Sequence, residues 1–455
     1  MISVAVVVGT ASAQCSVHCA RGCCYSGQEC CQPDPTQGAI CCNSSTELCL
    51  RDYRTCVAIT PVPPAPTPYA PGELMWAYRA NSSTSHPVAV VGGATVVATT
   101  AAGIQAFTAT SGALLWTYAN IVKEHNVLQN GTTLFVVVHG FSGVVVALDL
   151  LTGREQWRTS VTPDVNVIRL SPDASLPILF LHTQDENYNP SGVIALHAVT
   201  GDVLWNNTVA LFALPAVVRG VCALSNDVYV VGVNCITGVT IWSTQRTIAG
   251  SGATSIYAAT SLDVFLVTFD EWSSLELVAL NASTGALLWN HTHEYGPGPV
   301  VLSPDEQTFL TITTHYSGIR NFLVCYSVVT GEMLWTATAW TDGYDAVRIL
   351  ATTSLYFIGG YDDYTFALFQ RNGTTAWNTT YAISSADVSL NADMSVMYAG
   401  IDASIGAVNI STGKVLWAHG VQLALKYAPL PVGDMVVGGS QDTYLYGVRG
   451  GVRGA

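Results

Sequence analysis

The sequence predicts an all-β protein, a β-propeller of four-stranded blades, and three observations support this prediction. A glycine is followed four residues later by tryptophan nine times, at intervals of 37 to 48 residues, which is the length of one blade. Several of these tryptophans end the pattern Ala-x-Asp-x-x-Thr-Gly-x-x-x-Trp, which residues 147–157 match at every fixed position. Even the shortest interval divides into three further strand-like segments. The tryptophans expected to dock neighbouring blades are Trp76, Trp116, Trp157, Trp205, Trp242, Trp289, Trp335, Trp377 and Trp417.

Each part of this pattern has a mechanical reason. The alternating apolar residues suit the third strand of a blade, and the Thr-Gly pair suits a tight turn that needs a positive φ at glycine. The tryptophan is then expected on the outer strand. Because blades are twisted wedges, a gap opens between neighbours with distance from the axis, and a large flat side chain fills it.

The pattern resembles the tryptophan-docking motif of the quinoprotein-like (PQQ-type) β-propeller repeat family, and it recurs across residues 73–450. This resemblance implies a ring of blades. It leaves the activity open, because the family includes quinone-dependent dehydrogenases, bacterial outer-membrane-assembly scaffolds and stress-sensing lumenal domains.

The repeats form nine sequence units, which predicts eight or nine blades. Eight units are complete, three strands follow Trp417, and an outer strand at residues 73–78 lacks partners. We expect this N-terminal strand to complete the C-terminal sheet, because that pairing removes two free edges. The alternative is closure in trans, in which the strand enters another molecule and makes a polymer.

The segments that precede and follow the repeats suit a secreted protein. Residues 1–13 hold a short apolar run and a small-residue cleavage pattern, which predicts a signal peptide, although a basic start is missing. Residues 59–72 form a linker with six prolines from position 60 onward, which favours an extended polyproline II spacer. Residues 451–455 are a short tail.

Residues 14–58 contain ten of the 13 cysteines, an even number in a segment too short for a hydrophobic core. In an oxidising compartment this predicts a disulfide-rich module, with zinc binding as the alternative. The module resembles granulin or knottin domains, although its spacing differs from both. Its cysteines are Cys15, Cys19, Cys23, Cys24, Cys30, Cys31, Cys41, Cys42, Cys49 and Cys56.

Nine Asn-x-Ser/Thr sequons predict N-linked glycans. Only 11% of the residues are charged, so sugars would help to solvate the surface. Most of the sequons fall near the turn or outer strand of a repeat, which predicts a glycosylated outer rim. The asparagines are Asn43, Asn81, Asn130, Asn206, Asn281, Asn290, Asn372, Asn378 and Asn409.

The three cysteines of the repeats are expected to be buried free thiols, with one intermolecular disulfide as the alternative. A turn at residues 226–227 would place Cys222 opposite residue 231, too far from Cys235 for a bridge unless a bulge intervenes. Cys325 stands at the alanine position of its repeat.

Acidic pairs at residues 185–186 and 362–363 could hold calcium, but carboxylates in hairpin turns are usually just solvated. His291 and His293 overlap a sequon, which disfavours a metal site. No catalytic, cofactor-binding or metal-ligating residue can be assigned. The resemblance to quinone-dependent alcohol dehydrogenases would place a vicinal disulfide beside the cofactor, whereas the adjacent cysteine pairs here precede the repeats.

The formal net charge of −14, with 17 basic residues against 31 acidic ones, disfavours nucleic acid as a partner. The sequence has no run of 18 or more apolar residues, so it predicts no membrane-spanning helix. We therefore expect protein or glycan partners, with self-assembly included, and no cofactor besides N-linked glycans; calcium has no support.

Three functions are compatible with these features. The leading hypothesis is a secreted, extracellular, non-catalytic glycoprotein that acts as an interaction or structural scaffold, with a subunit of an extracellular matrix or fibre as one form. The first alternative is a quinone (PQQ)-dependent dehydrogenase. The second is a lectin-like glycan-binding propeller, in which Trp272 and Trp340, both outside the docking pattern, would stack on sugars.

Overall fold

A computed structural model describes the repeat region almost throughout and short segments before it. The predicted signal peptide, most of the linker and residues 452–455 of the tail lie outside the described residues. The described ranges are 17–19, 22–24, 28–31, 40–43, 47–50, 55–58, 70–82, 86–119, 122–138, 143–162, 164–171, 175–185, 190–208, 215–226, 228–245, 253–271, 274–293, 296–314, 321–339, 348–359, 365–379, 381, 383, 388–425 and 427–451.

Three two-stranded antiparallel hairpins lie in the cysteine-rich segment. Their strands are β1 (Val17–Cys19), β2 (Gly22–Cys24), β3 (Gln28–Cys31), β4 (Ile40–Asn43), β5 (Glu47–Leu50) and β6 (Thr55–Ala58). The side chains of the ten cysteines lie outside the described part of the structure, so the disulfide module stays a prediction.

The repeats form nine four-stranded antiparallel sheets, which are the blades. Blades 1 to 3 contain β8 (His86–Val91), β9 (Thr95–Thr100), β10 (Gly103–Thr108), β11 (Leu114–Tyr118); β12 (Val122–Asn130), β13 (Thr133–Val138), β14 (Gly143–Asp149), β15 (Glu155–Val161); and β16 (Asp164–Leu170), β17 (Ile178–Gln184), β18 (Pro190–His197), β19 (Val203–Asn207). Blades 4 to 6 contain β20 (Ala216–Val218), β21 (Val221–Ser225), β22 (Tyr229–Asn234), β23 (Thr240–Gln245); β24 (Ala253–Ala259), β25 (Val264–Glu271), β26 (Ser274–Asn281), β27 (Leu287–His293); and β28 (Gly296–Leu302), β29 (Thr308–Thr314), β30 (Asn321–Ser327), β31 (Met333–Ala339). Blades 7 and 8 contain β32 (Arg348–Ala351), β33 (Leu355–Gly359), β34 (Thr365–Phe369), β35 (Thr375–Thr379); and β36 (Ser389–Leu390), β37 (Val396–Gly400), β38 (Ser404–Asn409), β39 (Val415–Gly420). A single 3-10 turn (Thr260–Leu262) joins β24 to β25 within the described residues.

Blade 9 combines both ends of the repeat region. Its strands are β40 (Leu430–Val432), β41 (Met435–Gly439), β42 (Tyr444–Arg449) and, as the outer strand, β7 (Leu74–Arg79). Trp76 on β7 lies opposite Gly447 on β42. The predicted closure by the N-terminal strand is therefore confirmed in cis, and the ring has nine blades rather than eight.

The core lies between the blades and not inside any one of them. Nine clusters of buried apolar residues fill the nine interfaces, including the one that joins blade 9 to blade 1. Middle strands such as β17 and β37 are buried along their whole length, because both faces of the sheet are covered. Outer strands such as β23 and β39 alternate buried and exposed residues, because the blades diverge there.

Candidate functional site

The nine tryptophans each join one blade to the next. In every case the indole N–H donates a hydrogen bond to a backbone carbonyl in the motif turn of the following blade, at 2.6 to 3.2 Å. The donor and acceptor pairs are Trp76–Ala109, Trp116–Leu150, Trp157–Ala198, Trp205–Cys235, Trp242–Ala282, Trp289–Val328, Trp335–Gln370, Trp377–Ile410 and Trp417–Gly450. We call each such contact a docking joint.

The motif glycine of the following blade is the surface against which each indole packs. A Cβ atom on Gly413 would lie 2.4 Å from the Trp377 ring, and one on Gly153 would lie 2.5 Å from the Trp116 ring. Both glycines also have a positive φ, +68° in each case. The glycine is therefore required twice, for the turn and for the close approach of the ring. The sequence indicated only the first requirement.

A second hydrogen bond reinforces several docking joints. The residue two positions after the tryptophan bonds to the carbonyl of the same motif glycine: Thr159 to Gly201 at 2.7 Å and Thr244 to Gly285 at 2.6 Å. His291 takes this position in blade 5, where Nε2 lies 2.7 Å from the carbonyl oxygen of Gly331. Its ring belongs to a joint, which gives it a structural role.

The acidic position of the motif holds the turn itself. The Oδ1 atom of Asp149 accepts hydrogen bonds from the backbone N–H of Leu151 and from the N–H and hydroxyl of Thr152, at 2.7 to 3.1 Å. The hydroxyl of Thr152 makes the largest contribution to a lowered pKa of Asp149, since it donates to the charged form. Asn281 and Asn409 occupy the same position in blades 5 and 8.

The closing blade contains a buried polar cluster. Asp442 accepts hydrogen bonds from the Tyr446 hydroxyl at 2.6 Å and from the backbone N–H groups of Tyr444 and Gln422. Burial raises the pKa of Asp442, and it raises that of Tyr446 far above its ordinary value. Three donors satisfy the carboxyl group of Asp442 and connect β42 to the loop that follows β39, which gives this cluster a structural role in blade 9.

Large apolar side chains are exposed mainly at the outer rim, the part of each blade formed by the motif turn and the outer strand. Of the 19 exposed large hydrophobic residues in the described part of the chain, 16 lie in the 11-residue motifs. They include Leu114 and Leu115 in blade 1, and Met333 in blade 6, which is 61% exposed. The exposed apolar side chains therefore recur at the same place in successive repeats.

Eight of the nine predicted glycosylation sites fall on described side chains. Six asparagines are exposed, and Asn281 and Asn409 are half-buried. The side chain of Asn43 lies outside the described residues. The exposed asparagines are Asn81, Asn130, Asn206, Asn290, Asn372 and Asn378.

The prediction that Cys222 and Cys235 are free thiols is wrong, because they form a disulfide with 5.1 Å between their Cα atoms. The expected register was two residues off: Cys222 pairs with Val233. The reason is an Asx turn, in which the Asn226 Oδ1 accepts the N–H groups of residues 228 and 229 and lengthens the hairpin loop. Cys325 is a buried free thiol, as predicted, and burial raises its pKa to about 11.

Several other candidate residues contribute no described site. Glu186, Asp362, Asp363, Trp272 and Trp340 lie outside the described residues. Within the described ranges, no three His, Cys, Asp or Glu side chains come together as metal ligands. A helix long and apolar enough to cross a membrane is likewise absent from that part of the chain.

Comparisons with known proteins agree on the fold. A family described as outer membrane protein assembly factor BamB matches residues 69–171, 188–379 and 300–436. Solved structures with a similar fold include the computationally designed Ika8 protein (14% identity, TM-score 0.51, 73% of this chain and 97% of that one) and BamB from Moraxella catarrhalis (14% identity, TM-score 0.50, 74% and 98%). Another is quinohemoprotein alcohol dehydrogenase ADHIIG from Pseudomonas putida HK5 (12% identity, TM-score 0.49, 72% and 74%). No curated protein matches the chain significantly in sequence.

Proposed function

Because the chain belongs to the β-propeller family described as outer membrane protein assembly factor BamB, we propose that it is a non-catalytic scaffold, a rigid ring that binds other proteins or further copies of itself. In this proposal it is secreted, N-glycosylated and extracellular, and its assembly contributes to a matrix or fibre. The recurring residues support a non-catalytic role, since each motif tryptophan and glycine contributes to a docking joint and so to the structure.

The observation that carries the proposal is the exposed apolar outer rim. Residues such as Leu114, Leu115 and Leu416 are 44 to 52% exposed, although they belong to strands held by the docking joints. A rigid ring loses little entropy when it binds, and apolar side chains in fixed positions supply contact area. Both properties favour a binding platform.

Secretion has support of a different kind. The disulfide between Cys222 and Cys235 lies directly at the joint that receives Trp205, and stable disulfides are typical of oxidising compartments. Six exposed sequon asparagines are compatible with glycans on the folded ring.

A paired experiment tests the scaffold proposal. Protein secreted from a eukaryotic host is imaged by negative-stain electron microscopy, and self-association is measured by analytical ultracentrifugation. We expect nine-bladed rings that associate through the outer rim, and less association when Leu115 and Leu416 are replaced by glutamine. The control replaces Thr110 and Lys414 by glutamine, because both are exposed and polar in the same motifs.

The enzymatic alternative is tested on the same material. The protein is incubated with pyrroloquinoline quinone and calcium, and dye reduction is followed with alcohols and sugars. We expect no stoichiometric binding of the quinone and no turnover. Quinone-dependent reduction of the dye would overturn the proposal, and glycan-array binding without self-association would replace it by the lectin alternative.

A further inference from the structure

We propose that the sequons divide into two functional classes. N-linked glycans occupy the exposed Asn206, Asn290 and Asn378 of the outer strands, and the glycan on Asn290 covers exposed apolar side chains. The half-buried Asn281 and Asn409 instead hold motif turns with their side chains and remain unmodified. This inference rests on the proposed passage through the secretory route.

The first class shares one position in the repeat. Asn206, Asn290 and Asn378 each follow a docking tryptophan directly, on the outer strands β19, β27 and β35. Successive side chains of a strand point to opposite faces, so the asparagine points away from the joint that its tryptophan fills. All three asparagines are exposed.

The asparagine and the residue before the tryptophan lie on the same face, two residues apart. In blade 5 that residue is Leu288, which is 46% exposed, and its neighbour Leu287 is 48% exposed. In blade 3 the residue before the tryptophan is Leu204, which is half-buried, although Val203 is 53% exposed. A sugar attached to Asn290 therefore projects beside apolar surface that the fold leaves open to water.

The second class is built into the protein. The Nδ2 atom of Asn281 donates to Asp263 at 3.1 Å, and its Oδ1 accepts the N–H and hydroxyl of Thr284 at 2.9 and 2.8 Å. The next residue, Ala282, is fully buried, and its carbonyl receives the Trp242 indole N–H. A sugar on Asn281 would replace one hydrogen of this Nδ2 and would have to fit beside Asp263 at a half-buried side chain.

Asn409 repeats the Oδ1 contacts in blade 8, where its side chain is also half-buried. Its Oδ1 accepts the N–H and hydroxyl of Thr412, both at 3.0 Å, and the hydroxyl of Ser411 at 2.8 Å. The following residue, Ile410, is buried and accepts the Trp377 indole N–H at 2.8 Å. Asp149 makes the equivalent contacts in blade 2, so at this position an asparagine serves the turn and its match to the sequon is a by-product.

The three glycan positions fall on alternate blades, 3, 5 and 7. In blades 8, 9 and 1 the residue after the docking tryptophan is Ala418, Ala77 and Thr117, and none of these begins a sequon. The exposed Leu114, Leu115 and Leu416 therefore stay accessible. Sugars at the three glycan positions would leave the apolar rim of this arc open to a partner of the proposed scaffold.

Site occupancy is the first test. The full chain is secreted from a eukaryotic host and treated with peptide-N-glycosidase in heavy-oxygen water, and each sequon peptide is analysed by mass spectrometry. We expect the heavy-oxygen label at Asn206, Asn290 and Asn378 and unlabelled asparagine at Asn281 and Asn409. Unmodified Asn206, Asn290 and Asn378 would overturn the inference, as would occupancy at Asn281 or Asn409 equal to theirs. Sugar at other sequons would still leave the proposed function standing. No sugar on any sequon would overturn the proposed glycoprotein itself.

Shielding is the second test. Thr292→Ala removes the sequon and keeps Asn290, and the matched Thr292→Ser variant preserves the sequon. We expect the alanine variant to lose one glycan mass and to bind more hydrophobic dye than the serine variant. Adding Leu288→Gln to the alanine variant should reverse the increase. Dye binding that does not change on loss of this glycan would refute the shielding role.

Discussion

Replacing Gly413 by alanine is a direct test of the docking joint. The added Cβ would lie 2.4 Å from the Trp377 ring, a distance that real contacts do not reach, and the residue has a φ of +68°. The left-handed conformation costs an alanine about 1–2 kcal/mol, and overpacking costs about 1–3 kcal/mol more. We therefore expect Gly413→Ala to lower the free energy of unfolding by about 2–5 kcal/mol.

The chain offers a matched control. Gly93 has a φ of +67°, but a Cβ there would meet nothing within 4 Å. Gly93→Ala should therefore cost only the backbone strain, about 1–2 kcal/mol. Urea denaturation followed by tryptophan fluorescence and by circular dichroism measures both variants. In a Trp377→Ala background the cost of Gly413→Ala should fall to that of the control, because the two residues act as a pair. Equal costs for the two glycines, or full additivity, would refute the reasoning.

Other perturbations have equally defined outcomes. Trp417→Ala should cost about 3–5 kcal/mol of unfolding free energy in urea, since it empties a joint, whereas Leu416→Ala on the opposite, exposed face should cost less than about 0.5 kcal/mol. Cys222→Ser should cost about 3 kcal/mol, the value for a closed loop of this size, and an unchanged urea midpoint would contradict it. Cys325 should resist iodoacetamide at pH 8 in the native protein and react only on unfolding, because its pKa is about 11 and the thiol is buried; rapid native labelling would disprove this. Burial lowers the pKa of His419. On acidification the unfolded chain therefore binds a proton at this histidine before the folded protein does. The free energy of unfolding should be constant above about pH 6.5 and should fall below it. His419→Gln should flatten that decline in urea midpoint, and an identical pH profile would exclude this histidine as the cause.

The ring could be predicted from the sequence because its main determinants are local. The spacing of residues such as Trp157, the Thr-Gly turn before it and the unpaired outer strand at residues 73–78 predicted the blades and their closure, which the structure confirms. The partner of each indole could not be predicted in this way. The contact of Trp157 with Gly201 joins two different repeats, and it depends on how the blades pack.

The errors and omissions have physical causes. The register at Cys222 depended on a single asparagine side chain in the turn, which pattern counting does not resolve. The apolarity of a leucine such as Leu416 does not tell core from surface, and the divergence of the blades leaves this residue open to solvent. The difference between Asn281 and Asn290 is also invisible in the sequon, because it lies in the neighbours of the amide and not in the tripeptide.

Blade 9 is built from both ends of the repeat region, and this affects how the chain folds while the ribosome makes it. The carbonyl oxygen of Gly72 accepts a hydrogen bond from Nδ1 of His419, 347 residues away. The first strand of the ring, β7, can therefore pair only after the last three strands have been made. At ordinary rates of translation the delay is about 20–70 s. During that time blade 1 lacks its neighbour, blade 9, and β7 has no sheet with which to pair. This strand therefore stays without its sheet partners until the final segment of the chain emerges.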